Sequence, residues 1–369
     1  MTATVSHPRA RPGRPEDRRR AGFPGHRTLE IVRSLRCDGA MRVAVVGAGI
    51  MGCATAWTLA ADGHDVDLYE RFEAGHEHGS SHGRTRIVRL AYPDPYWVRL
   101  AGEAMAGWRA LEAESGERLL ELSGLVEFAP PGVDSAPALT AAGAEFTRPT
   151  ADEVRRRWGL RVPGGCDTLF QPLAGAVRAD LALRAFLDGA LRRGVRLHEH
   201  SPVASPDAVD ADAVVVTAGS WVRTLVPDVP VRVTTETVVY FDRGGPVPPS
   251  VVELSTRIAL YSLWDPVHGL KVGVHHAGVP TDPLAPAPPP DRAIVERAAA
   301  WVAAVHATAD PRPVAAQTCR YTTTADEAFV LERRGRVVVG SACSGHGFKF
   351  APAVGRRLAG LATGQDPVR

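Results

Sequence analysis

Of the 43 basic side chains in this 369-residue chain only two are lysines, Lys271 and Lys349, and asparagine is absent. A codon bias that writes arginine wherever either cation serves accounts for such a balance. The lysines that survive it mark places where a compact, titratable ammonium does what a rigid, permanently charged guanidinium does not. Both sit in glycine-rich, apolar settings, Gly-Leu-Lys271-Val-Gly and Gly-His-Gly-Phe-Lys349-Phe, unlike surface lysines. A second pattern, Gly47-Ala-Gly49-Ile-Met-Gly52, follows the apolar run Arg42-Val-Ala-Val-Val. Its first glycine makes a tight turn, the second admits a pyrophosphate to the backbone, and the third packs a helix on the sheet. Glu70 closes the next strand 18 residues after Gly52 and supplies an acceptor for a ribose hydroxyl. Glycine turns alone are common. Strand, turn, helix and acid in this order spell a nucleotide cofactor, and an acid at 70 favours FAD or NAD over NADP.

These groups need a frame. Arg42–Gly47 reads as a buried strand, Cys53–Ala61 as the helix behind the turn, and Asp65–Glu70 as a second strand. Helices are expected at Ala101–Gly116, Asp180–Gly194 and Arg292–His306, and strands at Gly124–Ala129, Ala213–Val216 and Arg336–Gly340. Val231–Phe241 is β-branched and aromatic and predicts an antiparallel sheet of another kind. The proline run within Asp282–Asp291 predicts a loop. Val203, at the end of the strand starting near Gly194, is expected beside an adenine, with Trp221 packed near the same half. Dinucleotide-type strands occur at both ends and in the middle, so an α/β protein of two interleaved domains is expected. Residues 1–40 carry nine arginines against four acids and read as a poorly ordered extension without a targeting signal. Met41, just before the first strand, is a candidate start of translation.

Composition removes other classes. A net charge of +2 argues against a dedicated nucleic-acid binder. No run approaches about 18 apolar residues, so no membrane-spanning helix is expected. Five cysteines, at 37, 53, 166, 319 and 343, form no C-x-x-C pair and predict a reduced, cytoplasmic protein without a disulfide framework. His76, Glu77, His78 and His82 fit no closed zinc set, so no metal is expected.

Three further segments occur in order: Gly79-Ser80-Ser81-His82-Gly-Arg84-Thr-Arg86-Ile-Val-Arg89, then Cys319-Arg-Tyr321-Thr, then Ser344-Gly345-His346-Gly347-Phe348-Lys349-Phe350. Singly they read as a solvated basic turn, a buried thiol and a glycine turn. Together they make the chain, from about Met41 to Gly364, resemble the monomeric sarcosine oxidase family. That family includes N-methyltryptophan and pipecolate oxidases and belongs to the D-amino-acid-oxidase-like flavoproteins. The resemblance implies a Rossmann-type FAD-binding domain (41–125, 180–225, 311–369) interleaved with an antiparallel-sheet substrate domain (126–179, 226–310). It implies that Cys319 bonds covalently to FAD, that Lys271 lies over the flavin and activates oxygen, and that Arg89 and Lys349 bind the substrate carboxylate. His82 and Arg86 pack near the flavin ring by the same resemblance, Ser80, Ser81, Gly345, Gly347 and Phe348 belong to its binding segments, and Tyr261, His275 and Tyr321 line the substrate pocket. Two positions depart from the family pattern: Arg84 stands where an acid is usual, and Cys343 where an aromatic is frequent.

The expected activity is oxidation of the C–N bond of a secondary or N-methylated amino acid. The imine then hydrolyses, and oxygen is reduced to hydrogen peroxide. The expected partners are that small amine and oxygen, and the resemblance implies a monomer. A dehydrogenase passing electrons to a carrier protein is the rival on the same fold, and Lys271 argues against it. A pipecolate-type or specialised-metabolite flavin oxidase is a further alternative on the same fold. A flavin-binding protein without turnover, or one acting on a tethered biosynthetic intermediate, is a second rival; both kept lysines disfavour a dead site. An NAD-dependent dehydrogenase leaves the C-terminal motif unexplained.

Overall fold

The β-branched run Arg42–Val46 forms a strand whose Val43 and Val45 are fully buried, and it lies at the centre of a six-stranded sheet. It pairs in parallel with Asp65–Tyr69 on one side and with Ala213–Val216 on the other. Arg196–His198 extends the sheet beyond Asp65–Tyr69; Val337–Ser341 and then antiparallel Val330–Arg334 extend it beyond Ala213–Val216. The chain thus leaves the central strand toward one neighbour and returns on the other side, which opens a crevice at its carboxyl end. The computed structural model describes residues 39–255 and 259–365, so the extension expected at 1–40 lies, but for two residues, outside them.

Helices Ile50–Ala61 and Ala351–Thr363 cross closely, and a Cβ at Gly355 would come within 2.9 Å of Ala54. The first begins at Ile50 rather than Cys53, because Gly49 takes the extended N-cap position. The helix expected from Ala101 begins at Pro95, where Asp94 accepts the Tyr96 amide and proline occupies the first helical position.

The eight-stranded sheet is antiparallel, as expected, except where Ser250–Glu253 and Leu125–Ala129 pair in parallel. Val231–Asp242 and Pro313–Thr324 run antiparallel, placing Cys319 opposite Glu236 and Tyr321 opposite Thr234. On the other edge of Val231–Asp242, strand Gly269–Val274 sets Lys271 opposite Tyr240. Leu260–Leu263, Ser250–Glu253, Leu125–Ala129 and Asp167–Gln171 follow in order. The segment 311–369 therefore divides, with Pro313–Thr324 in this sheet and Val330–Arg334 and Val337–Ser341 in the other.

Alternation decides which residues reach the site. Leu270, Val272 and Val274 face a core formed with Ala298, Trp301 and Val302 of helix Arg292–Val305. Lys271 and His275 therefore face the opposite side, toward a cavity between the two sheets. A small third sheet joins Thr85–Val88, Gly175–Arg178 and Leu120–Glu121, and it carries Arg86.

Candidate active site

The crevice of the six-stranded sheet is shaped by steric necessity. Gly47 has φ +106°, and a Cβ there would sit 2.6 Å from the Thr217 carbonyl oxygen. A Cβ on Gly52 would fall 1.8 Å from the Gly47 oxygen, so the helix can lie on the turn only with glycine there. Gly52→Ala is expected to cost roughly 1–3 kcal/mol by overpacking. A thermal melt of the variant should show the loss, and retention of the wild-type midpoint would refute the packing role. Glu70 is 4% exposed and accepts the amides of Ala48 (2.9 Å) and Phe72 (3.0 Å), with His76 Nε2 at 3.4 Å. Burial opposes its ionisation, yet the bonds from His76 and the two amides hold its carboxyl below the usual range.

Ser81 Oγ accepts the Ile50 amide at 3.0 Å, and a Cβ on Gly49 would lie 3.1 Å from that hydroxyl. A hydroxyl, a bare backbone and a helix N-terminus thus converge on one spot, the donor set an anionic diphosphate requires. From there a cavity of about 1220 Å³ runs to the eight-stranded sheet. It is larger than the usual small-molecule pocket of roughly 300–1,000 Å³. Val203, Trp221, Ser80 and Glu70 line it at one end, and Lys349, Tyr321 and His275 at the other. Among the sequence-predicted site residues Gly52 alone is absent from its lining, because it packs beneath the turn. Thr85 Oγ1, buried in the same wall, has no hydrogen-bond partner. These features fit an elongated dinucleotide such as FAD.

The middle of the cavity is cationic. Arg86 donates to the carbonyl oxygens of Thr85 (2.9 Å), Ser80 (2.9 Å) and His82 (2.6 Å), and its guanidinium lies 5.6 Å from the Phe348 ring centre. His82 is bound to Gln317 at 3.1 Å, and burial, with Arg86 and Lys271 nearby, pulls its imidazole down to about 3. Lys271 Nζ donates to the Thr85 oxygen at 3.2 Å; burial and Arg86 pull its ammonium down to about 7. Burial pushes the Cys319 thiol up to about 11, against the pull of Arg86 and Lys271.

At the far end two cations share one wall. Arg89 stacks 4.1 Å from the centre of Tyr92 and donates to the Ala91 oxygen, while Lys349 Nζ lies 5.6 Å from the same ring and donates to the His346 oxygen at 2.6 Å. Lys349 is 6% exposed, and burial together with Arg89 drives its proton affinity well down. Tyr261, Tyr321 and His275 complete the wall, and a Cβ on Gly345 would strike Tyr321 and His275 within 2.6 Å. Burial pushes the Tyr261 hydroxyl up to about 12 and His275 down to about 3, so both are neutral near pH 7.

Several contributors escaped the sequence reading. Tyr92 and Trp97 line the pocket beside His346, and Gln317 links His82 to the Tyr240 hydroxyl. Asp265 receives Arg84, the position that departs from the family pattern. Asp265 is buried whereas Arg84 is only half-buried, and no signal in the sequence pairs the two. Cys343 lines the cavity, and its sulfur lies 3.5 Å from the Thr322 amide. Of the histidines weighed for a metal, His76 is bound to Glu70 and His82 to Gln317, while the His78 ring packs against Phe72 and His76. Among the described residues the donors that approach within 4.8 Å of one another are those of His275, His276 and Glu327, where Glu327 already pairs with His276 at 3.3 Å.

Comparison with known proteins agrees with this geometry. The chain is 30% identical to human peroxisomal sarcosine oxidase, over 85% of this chain and 90% of that protein. It is 30% identical to monomeric sarcosine oxidase of Bacillus sp. (strain B-0618), over 87% of this chain and 91% of the relative. Among solved structures it is similar to NikD, described as an unusual amino acid oxidase essential for nikkomycin biosynthesis, with TM-score 0.78, 26% identity and coverage of 89% and 95%. Glycine oxidase from Geobacillus kaustophilus, at 20% identity and TM-score 0.73, shares the fold. Residues 42–361 match the family described as FAD dependent oxidoreductase (DAO), and the chain belongs to that family of flavin enzymes.

Proposed function

We propose that this oxidoreductase oxidises the C–N bond of a secondary or N-methylated amino acid. The observation that carries the reading is the adjacent pair Arg89 and Lys349 at the end of the cavity remote from the glycine turn. Two cations forced together under burial repel, and a substrate carboxylate relieves both. Held there, the substrate is oriented by two charge-assisted bonds, and such positioning supplies much of the rate. Tyr261, Tyr321 and His275, all neutral, accept its remaining body without adding charge. The glycine turn, Glu70, Ser81 and the cationic middle of the cavity would hold FAD, which when bound would supply a two-electron acceptor, with oxygen as the final oxidant. The imine released hydrolyses in water, and hydrogen peroxide is the second product.

Lys271 places a compact charge where oxygen is reduced, an electrostatic role. The six-stranded sheet serves the cofactor, and the eight-stranded sheet, including Pro313–Thr324, roofs the reacting end. Four unpaired cysteines among the described residues support work in a reducing compartment. The similarity to a relative named monomeric supports a monomer. The direct test is anaerobic bleaching of the yellow protein by a panel of N-alkyl amino acids. Bleaching by decarboxylated amines instead would overturn the carboxylate reading.

Cys319, which lines the cavity from strand Pro313–Thr324, is the proposed point of covalent attachment. Acid-precipitated protein should keep its colour in the pellet, and Cys319→Ser should release flavin to the supernatant. Complete extraction of flavin from the unsubstituted protein would remove the covalent bond from the account.

A further inference from the structure

Arg84 Nε and Nη2 donate to Asp265 Oδ2 and Oδ1, each at 3.0 Å, and Asp265 is 1% exposed. Asp265 heads a tight turn, where the Gly269 amide donates to its carbonyl oxygen at 2.8 Å. Its carboxylate also accepts the amides of Val267 (3.1 Å) and His268 (3.0 Å). Lys271 follows two residues beyond that turn, and its Nζ donates to the carbonyl of Thr85, the residue after Arg84. Two consecutive residues therefore grip both the turn and the ammonium. Tyr240, opposite Lys271 in register, has the Arg84 guanidinium 5.1 Å and the ammonium 5.9 Å from its ring centre.

We propose that the Arg84–Asp265 ion pair is a positioning element for Lys271, keeping its ammonium charged and set in the cavity wall. The inference rests on reading Lys271 as the residue that serves oxygen. The groups facing Lys271 are Arg84, Arg86, Asp265, Cys319, His82 and Tyr240. Burial and Arg86 disfavour its charge; Asp265 supports it more strongly than Arg84 opposes it. A pair that merely stapled the turn would loosen Lys271 in the same way whichever partner was removed. A charged pair acts with opposite signs, because each variant leaves the other partner uncompensated.

Two lysines make the test direct. Full-length, FAD-loaded protein labelled at the lysine ε-carbon gives two titrating magnetic-resonance signals, assigned with Lys271→Met. Asp265→Asn should lower the Lys271 midpoint by about one pH unit and Arg84→Gln should raise it by less. Flavin reoxidation above the midpoint should slow about tenfold in Asp265→Asn, following the charged fraction. Midpoints that move together, or stay in place, overturn the proposal. If Asp265→Asn does not fold, Arg84→Gln decides: a raised midpoint upholds the pair, and a lowered or unchanged one rejects it. Opposite shifts without peroxide production by any variant would uphold the pair's hold on Lys271 while rejecting the oxidase reading.

Discussion

Lys271→Met slows flavin reoxidation by oxygen far more than it slows flavin reduction by substrate, an effect expected to reach a few orders of magnitude, as for loss of one oxyanion-type stabiliser (roughly a hundredfold to a thousandfold). The ammonium is buried and its proton affinity is drawn down to about 7, chiefly by burial and then by Arg86. Lowering the value of a base reduces its charged fraction as pH rises. Reoxidation in the unsubstituted protein should therefore fall as pH climbs through about 7, and the methionine variant should lack that step. Arginine at 271 should rescue only in part, because a planar guanidinium spreads its charge over a larger fork. Stopped-flow measurement of the two half-reactions checks all three statements. Equal slowing of both would make Lys271 a wall residue and return the dehydrogenase reading to the front.

The proposed carboxylate clamp predicts the second large effect. Arg89→Ala or Lys349→Ala removes one charge-assisted bond to the substrate, on the order of 1.5–3 kcal/mol. That corresponds to a fall in kcat/KM of roughly tenfold to a hundredfold. The two variants should differ in detail. Removing Arg89 relieves the pressure on Lys349, whose charge is held down by burial and by that neighbour. Removing Lys349 also takes away a side chain that ties the turn at His346. Steady-state comparison of N-methyl amino acids with the corresponding amines is decisive. A preference for the acid that survives in both variants would place the carboxylate elsewhere.

What could be read from the residues depended on whether the physics was local. Gly47, Gly52 and Glu70 were legible because strand, turn, helix and acid lie within thirty residues and each type is sterically or chemically forced. Lys271 and Lys349 stood out by scarcity, and both reach one cavity. The early start of the long helix was legible too, in Asp94-Pro95, yet amphipathic spacing alone placed it at Ala101. Asp265 was not legible. Its partner Arg84 is 181 positions away, and Trp-Asp-Pro by itself reads only as a turn. The segment 311–369 reads as part of the FAD-binding domain because Arg336–Gly340 belongs there, while Pro313–Thr324 pairs with Val231–Asp242, which is distant in sequence. The wall formed by Tyr92, Trp97 and His346 escaped for the same reason: aromatic residues announce burial without naming what they surround.

The glycine turn belongs to one sheet and Cys319 to the other, with the cavity between them. A dissociable ligand in such a place adds stability that grows with its free concentration and vanishes on dilution. The bond proposed at Cys319 would change that law, because a tethered ligand cannot be diluted away. Loading would then be permanent for each molecule. Loaded chains would keep a melting temperature indifferent to free flavin, and the Cys319→Ser protein would melt lower as flavin is removed. In a cell short of flavin, the chains that lack the bond open more often and are the ones that proteases clear, so the abundance of this protein would follow flavin supply without any dedicated sensor.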